Sequence, residues 1–327
     1  MPATRDPDPE QADPPEAGQN ILQPLLFELG KEGRLQGAIG IVPDLNPDSS
    51  LDVARYWYRR HLEQSGHPHN TIKSYSYDLA VFENMIGPKA IRQIKRRDIA
   101  HFLGESNTRS TRKRRLTSVS GLFKYLITQA QVLESDPSAA FYPEHIPLKT
   151  PHPLFAEEQA RLLTAAAEGG SRAHAAIWLM LRLGLSRAEV LQLCVDHVDL
   201  SDPERPVVYV FYESLRHRGK ERKLAAGREF GNIYQRLIDE YQPRDLLFPI
   251  LPQSLNKIVE RVAQASGLTK HVSPQSLRDT FAVDRAREGA TEEDLLRLLG
   301  LADDSRNRMS VRRYLKLAEP PLLEPTA

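Results

Sequence analysis

Between Asn107 and Lys124 the chain carries six basic side chains, Arg109, Arg112, Lys113, Arg114, Arg115 and Lys124, and no acid. Ser110, Thr111, Thr117 and Ser118 interleave with them. Cationic and hydroxyl donors at this density are the groups that meet phosphate oxygens. Arg112 and Arg115 fall on nearly one helical face, opposite much of an apolar stripe, so the segment can pack on one side and face phosphates on the other. One basic helix alone is more often a solvated face. A second cluster, Lys95-Arg96-Arg97, and the polar start Thr71, Lys73 and Ser74 shift the reading to nucleic-acid binding.

Other reactive side chains are less informative. His67 and His69 lack a third ligand at useful spacing and read as surface histidines. Asp196, His197 and Asp199 read as caps of a turn. Cys194, between Leu193 and Val195, reads as buried and unreactive. Neither a phosphate-binding glycine loop nor a nucleophile elbow occurs, and no metal or cofactor is expected.

These groups must be positioned by a chain of 327 residues, too long for one typical domain and comfortable for two. The hydrophobic fraction is 40% and the charged fraction 27%, ordinary for a protein that buries real cores. The net charge of +1 hides a gradient. Residues 1–50 hold 3 basic and 9 acidic side chains, residues 51–150 hold 16 and 9, and residues 151–327 hold 25 of each. An acidic tail thus precedes a basic domain, which again suggests a polyanionic partner. No apolar run reaches the roughly 18 residues of a membrane span, and no secretory signal is visible. The single cysteine excludes an internal disulfide framework and any cysteine-rich zinc site, and it fits a reducing cytoplasm; nucleoid association is expected only as far as a nucleic-acid partner is.

The proline- and acid-rich segment 1–18 reads as disordered, and Leu22, Leu25, Leu26 and Leu29 suggest a short helix over Ile21–Leu35. Tyr75, Leu79, Phe82 and Ile86 share one helical face, with Asn70 or Thr71 as cap. Leu116, Val119, Phe123 and Leu126 do the same over Thr111–Ile127, and Ile94, Ile99 and Phe102 mark a shorter helix between. Later helices are expected over Glu157–Ala167, Ala173–Leu183, Asn232–Tyr241, Ser254–Ala265, Ser276–Glu288 and Glu292–Leu299. The run Val207–Tyr212 reads as a strand, with Lys223–Ala225 pairing back after a turn at Arg218-Gly219. The expected architecture is mainly α with a small β-sheet. A tail occupies 1–48, a helical domain 49–141, a linker 142–153, a mixed α/β domain 154–318 and a second tail 319–327.

The order of motifs resembles the tyrosine recombinases of the phage-integrase family. Thr71-Ile-Lys-Ser-Tyr75-x3-Leu79-x2-Phe82, Thr111-x4-Leu116-x5-Leu122-Phe-Lys-Tyr-Leu126 and Asp136-Pro137 are similar to their core-binding domain. Leu183-Gly-Leu185-x3-Glu189-Val-Leu-x-Leu193, Gly219-Lys-Glu-Arg222, Ser273-Pro-x2-Leu277-Arg278-x-Thr280-Phe281-Ala282 and Leu298-Leu299-Gly300 followed by Tyr314 are similar to their catalytic domain. The resemblance implies a two-domain clamp on duplex DNA and attack of Tyr314 on a phosphodiester, giving a 3′-phosphotyrosine without metal or nucleotide cofactor. It also implies two arginines stabilising the phosphorane, a lysine protonating the leaving oxygen, and histidines assisting.

Position by position, this chain departs from that pattern. Ser186 stands where the first arginine belongs, with Arg187 adjacent but turned by about 100° on a helix. Gln275 occupies the histidine position, Asp279 a place often held by histidine, and Leu301 the place of a last histidine or tryptophan. His217 aligns with the lysine, and Lys220 sits nearby. Arg278 and Tyr314 match, although the spacer before Tyr314 is lengthened. Losing one preorganised donor typically costs ~10²–10³ in rate, so the leading expectation is DNA binding with impaired cleavage. An active recombinase that uses Arg187, His217 or Lys220, and Gln275 as replacements is the competing reading. A module of a larger assembly, associating with itself or with partner proteins, is the third.

Overall fold

Helices carry almost all of the architecture. In this computed structural model the described residues are 28–29, 35–36, 44–143, 146, 150–212 and 219–319. The chain divides into two units, Met1–Pro147 and Leu148–Ala327.

In the first unit, β1 (Glu28–Leu29) pairs antiparallel with β2 (Leu35–Gln36). The helix expected over Ile21–Leu35 is therefore corrected at its C-terminal end. Gly30 and Gly33 lie between the paired segments, and glycine is a poor helix former. The rest of that expectation, the disordered reading of 1–18 and the C-terminal tail from 320 lie outside the described residues.

Four helices follow: α1 (Leu51–Gln64), α2 (His69–Ile86), α3 (Arg96–Gly104) and α4 (Arg109–Thr128). α2 begins earlier than expected, with Pro68 rather than Asn70 or Thr71 at its N-cap. Thr108 caps α4, its hydroxyl accepting from the Thr111 N–H at 3.1 Å. Leu79 and Phe82 of α2, Ile99 and Phe102 of α3, and Leu116, Val119, Phe123 and Leu126 of α4 are buried together, joined by Leu51, Ala54, Tyr58 and Leu62 of α1. The i, i+3, i+4 spacing of these residues is what lets each helix bury one stripe.

The second unit is built around α6 (Ser171–Arg182), which packs against α5 (Ala156–Glu168), α8 (Arg228–Tyr241) and α10 (Pro274–Arg287). Ala175–Leu181 of α6 is buried on every side, as an apolar helix at the centre of a core must be. α7 (Arg187–Gln192) is short, and α9 (Pro252–Ala265), α11 (Glu292–Leu298) and α12 (Ser305–Ala318) complete the helices. A small antiparallel sheet has the order β3 (Val198–Asp199), β4 (Val207–Val210) and β5 (Arg222–Ala225), with Val208 opposite Leu224. Val208, Val210 and Leu224 face the core, the period-two alternation of a half-buried sheet. β3 was not foreseen, being only two residues long, and the turn residue Arg218 lies outside the described residues.

Cys194 is half-exposed rather than buried. Its backbone is extended, and residues on either side of it pair with 245–247, so Leu193 turns into the core while the Cys194 side chain turns the other way. No described helix is long and apolar enough to cross a membrane.

Candidate active site and nucleic-acid interface

The second unit gathers its charged groups around one carboxylate, Glu189. Ser186 starts α7 with a reciprocal cap: its hydroxyl accepts from the Glu189 N–H at 3.3 Å, and Glu189 Oε2 accepts from the Ser186 N–H at 2.6 Å. Arg222 Nη1 on β5 donates to Glu189 Oε1 at 2.7 Å, and the Tyr212 hydroxyl donates to the same oxygen. Arg278 Nη1 on α10 donates to Oε2 at 3.2 Å. Arg278 also donates from Nη1 to the Gly184 carbonyl and from Nη2 to the Leu299 carbonyl. The side chains of Glu189 and Arg222 are each 4% exposed and that of Arg278 is 11%.

Two glycines make this convergence possible. Gly184 has φ +65°, and a Cβ there would stand 2.2 Å from the Phe281 ring; Gly300 has φ +57°, and a Cβ there would stand 2.4 Å from Arg222 Nη1. The same loop brings the Lys220 backbone against Gly300.

Burial alone would raise the pKa of Glu189. The Arg222 hydrogen bond and charge, aided by Arg278 and Tyr212, overcome it and hold the carboxyl at about 2. Burial and the bond to Glu189 push Tyr212 up to about 12. Glu189→Gln is expected to destabilise this unit by ~3–5 kcal/mol, because two buried guanidiniums lose their counter-charge. The sign follows from the depressed value. The carboxylate's contribution is full above its ordinary pKa of 4.5 and is lost as pH falls towards 2. Urea unfolding across that window should show this acid sensitivity in the wild type and lack it in Glu189→Gln. Equal midpoints for the two proteins at pH 7 would contradict the assignment.

Tyr314 lies beside this cluster on α12, which packs against α10. The tyrosine is 6% exposed among Phe281, Val283, Leu295, Leu299 and Val311. Its hydroxyl donates to Asp279 Oδ1 at 2.6 Å, and Gln275 Nε2 donates to the same oxygen at 2.8 Å. Burial, then the Asp279 charge, pushes the phenol pKa well above its ordinary value, with Arg278 opposing.

Of the site residues named from sequence, Arg278, Gln275 and Tyr314 are thus brought together, with the Lys220 backbone at the adjoining loop. Arg187 is not in the cluster. It lies at the surface, Nη1 donating to Asn256 Oδ1 of α9 at 3.2 Å. His217 lies outside the described residues. Arg222, the Ser186 cap and the Asp279–Tyr314 bond were not foreseen. The pattern Ser186-x-x-Glu189 is a legible capping box, whereas nothing local tells Arg222 from a surface arginine.

In the first unit the basic side chains separate into two kinds. Arg114 donates from Nε and Nη2 to both oxygens of Asp78, at 2.9 and 2.7 Å, and Asp78 is 1% exposed and also accepts from Ser118. Arg115 donates to the Phe102 carbonyl at 2.9 Å and stacks over the Phe102 ring. These two arginines, named from sequence as phosphate contacts, join α4 to α2 and α3. Lys73, Lys95, Arg96, Arg97, Arg109, Lys113 and Lys124 are exposed, and Thr71, Ser74 and Arg112 are half-exposed. Arg96 stacks over Phe141, and the Ser74 hydroxyl donates to the Asn70 carbonyl.

Among the described residues one group has metal-ligand chemistry: ligand atoms of Cys194, Asp196 and His197 lie within 4.8 Å of one another. His197 Nδ1 accepts from the Cys194 N–H at 3.3 Å, which leaves Nε2 carrying the proton and unable to ligate without breaking that bond. The geometry is that of a capped turn.

Comparison with known proteins agrees along both units. Residues 154–319 match the phage integrase family, and residues 56–130 match the phage integrase N-terminal SAM-like domain. Tyrosine recombinase XerC of Anoxybacillus flavithermus is 26% identical over 255 residues, covering 71% of this chain and 83% of the relative. Tyrosine recombinase XerD of Ralstonia nicotianae is 27% identical over 283 residues, covering 80% and 89%. Among solved structures, a lambda integrase dimer bound to a COC′ core site superposes with TM-score 0.68 at 16% identity, covering 84% of this chain and 80% of that one. XerH bound to palindromic difH in a post-cleavage complex gives 0.65 at 17% identity, covering 85% and 96%. With its larger match spanning half of the sequence, and that match holding the Glu189 cluster and Tyr314, the chain belongs to the phage integrase family.

Proposed function

We propose that this protein recognises double-stranded DNA at specific sites on a tyrosine-recombinase scaffold, and that it cleaves DNA far more slowly than an intact site of that design. The observation that carries the second half is the engagement of Arg278. Its guanidinium is bound to Glu189 and to two backbone carbonyls, while Ser186, where the resemblance calls for the other arginine, caps α7. Attack on a phosphodiester builds negative charge on the non-bridging oxygens, and an Arg278 that already makes these bonds has less of its donor capacity left to meet it.

DNA binding draws its support from the exposed cations of the first unit and from the family. The relatives' structures include a dimer and a tetramer on DNA, so association of copies on the duplex belongs to the same reading, as does a place beside chromosomal DNA. Selection from a pool of random duplexes is the test. A recovered consensus sequence is expected, and a pool that stays random through successive rounds contradicts site-specific recognition.

A further inference from the structure

We infer that Asp279, held in place by Gln275, is the proton acceptor of Tyr314, so that the nucleophile side of the site is assembled even though its phosphate side is depleted. The inference rests on the reading of the chain as a recombinase scaffold and adds a residue role to it.

A neutral phenol is a weak nucleophile and needs a base within hydrogen-bond reach. Asp279 Oδ1 is 2.6 Å from the Tyr314 hydroxyl oxygen, inside the range in which a proton passes directly. Gln275 lies one turn earlier on α10, and its amide donor at 2.8 Å fixes the same oxygen. Gln275 is thus a positioning residue, acting only through the carboxylate. The phenol is desolvated, so free phenolate is scarce, and a concerted transfer to Asp279 as the O–P bond forms avoids it. The balance is simple. The Tyr314 O–P bond forms, the phenol proton moves to Asp279, and the bridging P–O5′ bond breaks. The departing 5′-oxygen then takes a proton, which Asp279 holds or water supplies.

A substrate whose leaving group needs no proton isolates this half of the reaction. In a 5′-bridging phosphorothiolate the P–S bond breaks and a thiolate departs. The test uses the full chain and duplexes of the selected sequence, each with one such linkage at a successive position. The wild type is expected to form a covalent adduct over hours on at least one duplex. Asp279→Asn preserves shape and the hydrogen bond but removes the basicity, and it should slow the adduct about 10²-fold or more. Gln275→Leu should slow it less.

A carboxylate that merely restrains the tyrosine predicts the opposite sign. Removing the negative neighbour makes the phenol more acidic and frees it, so Asp279→Asn would react as fast or faster. That outcome overturns the inference. So does a wild type that binds the duplex yet forms no adduct at any position, which leaves the DNA-binding reading standing. Failure to bind the duplex at all overturns that reading instead.

Discussion

Raising salt from 50 to 200 mM is expected to weaken duplex binding by roughly 10³-fold or more. The exposed cations of the first unit include Lys73, Lys95, Arg96, Arg97, Arg109, Lys113 and Lys124. Each phosphate they neutralise contributes about −0.9 to the slope of log K against log salt. Replacing Lys73, Lys113 and Lys124 with alanine should flatten that slope by about 2.7 in all. Arg114→Ala makes the contrast, because its guanidinium is paired with buried Asp78. It should leave the slope nearly unchanged and destabilise the first unit by ~1–3 kcal/mol, the penalty of a buried carboxylate that keeps only its bond from Ser118. A triple-lysine variant with the wild-type slope would reject this surface as the DNA contact.

The contrast between Lys113 and Arg114 also marks what can be read from sequence. Both lie in one acid-free run, and composition treats them alike. Their difference depends on Asp78, 36 residues away and brought there only by the packing of α2 on α4. The helices themselves were legible, since stripes such as Leu116, Val119, Phe123 and Leu126 repeat locally with the helical period. The sheet was legible through its β-branched run, but the two-residue β3 offers no period to detect.

At the candidate site the departures from the family resemblance were visible at Ser186, Gln275 and Leu301. What those positions do instead was not, because Glu189, Arg222 and Arg278 meet from three separate elements. Reading the residues around Tyr314 one by one disclosed no base for it; the fold supplies Asp279 by laying α12 across α10.

Cleavage of an ordinary phosphodiester should fall by at least the ~10²–10³ that one lost transition-state donor typically removes. Several deficits converge. Ser186 offers a single neutral hydroxyl where the resemblance calls for a cationic guanidinium, Arg278 is bound within the protein, and Leu301 cannot donate a hydrogen bond. Tyr314 is 6% exposed with its hydroxyl bound to Asp279, and misplacement of a nucleophile by 1 Å can itself cost ~10²-fold. Losses within one site are not additive, so the product of these factors is an upper bound on the deficit. The most direct measurement is a nicked suicide duplex of the selected sequence, incubated with the protein and resolved by denaturing electrophoresis. The account predicts intact sequence-specific binding and no covalent adduct on the scale of minutes. An adduct formed within minutes by the wild type, and absent in Tyr314→Phe, would contradict it.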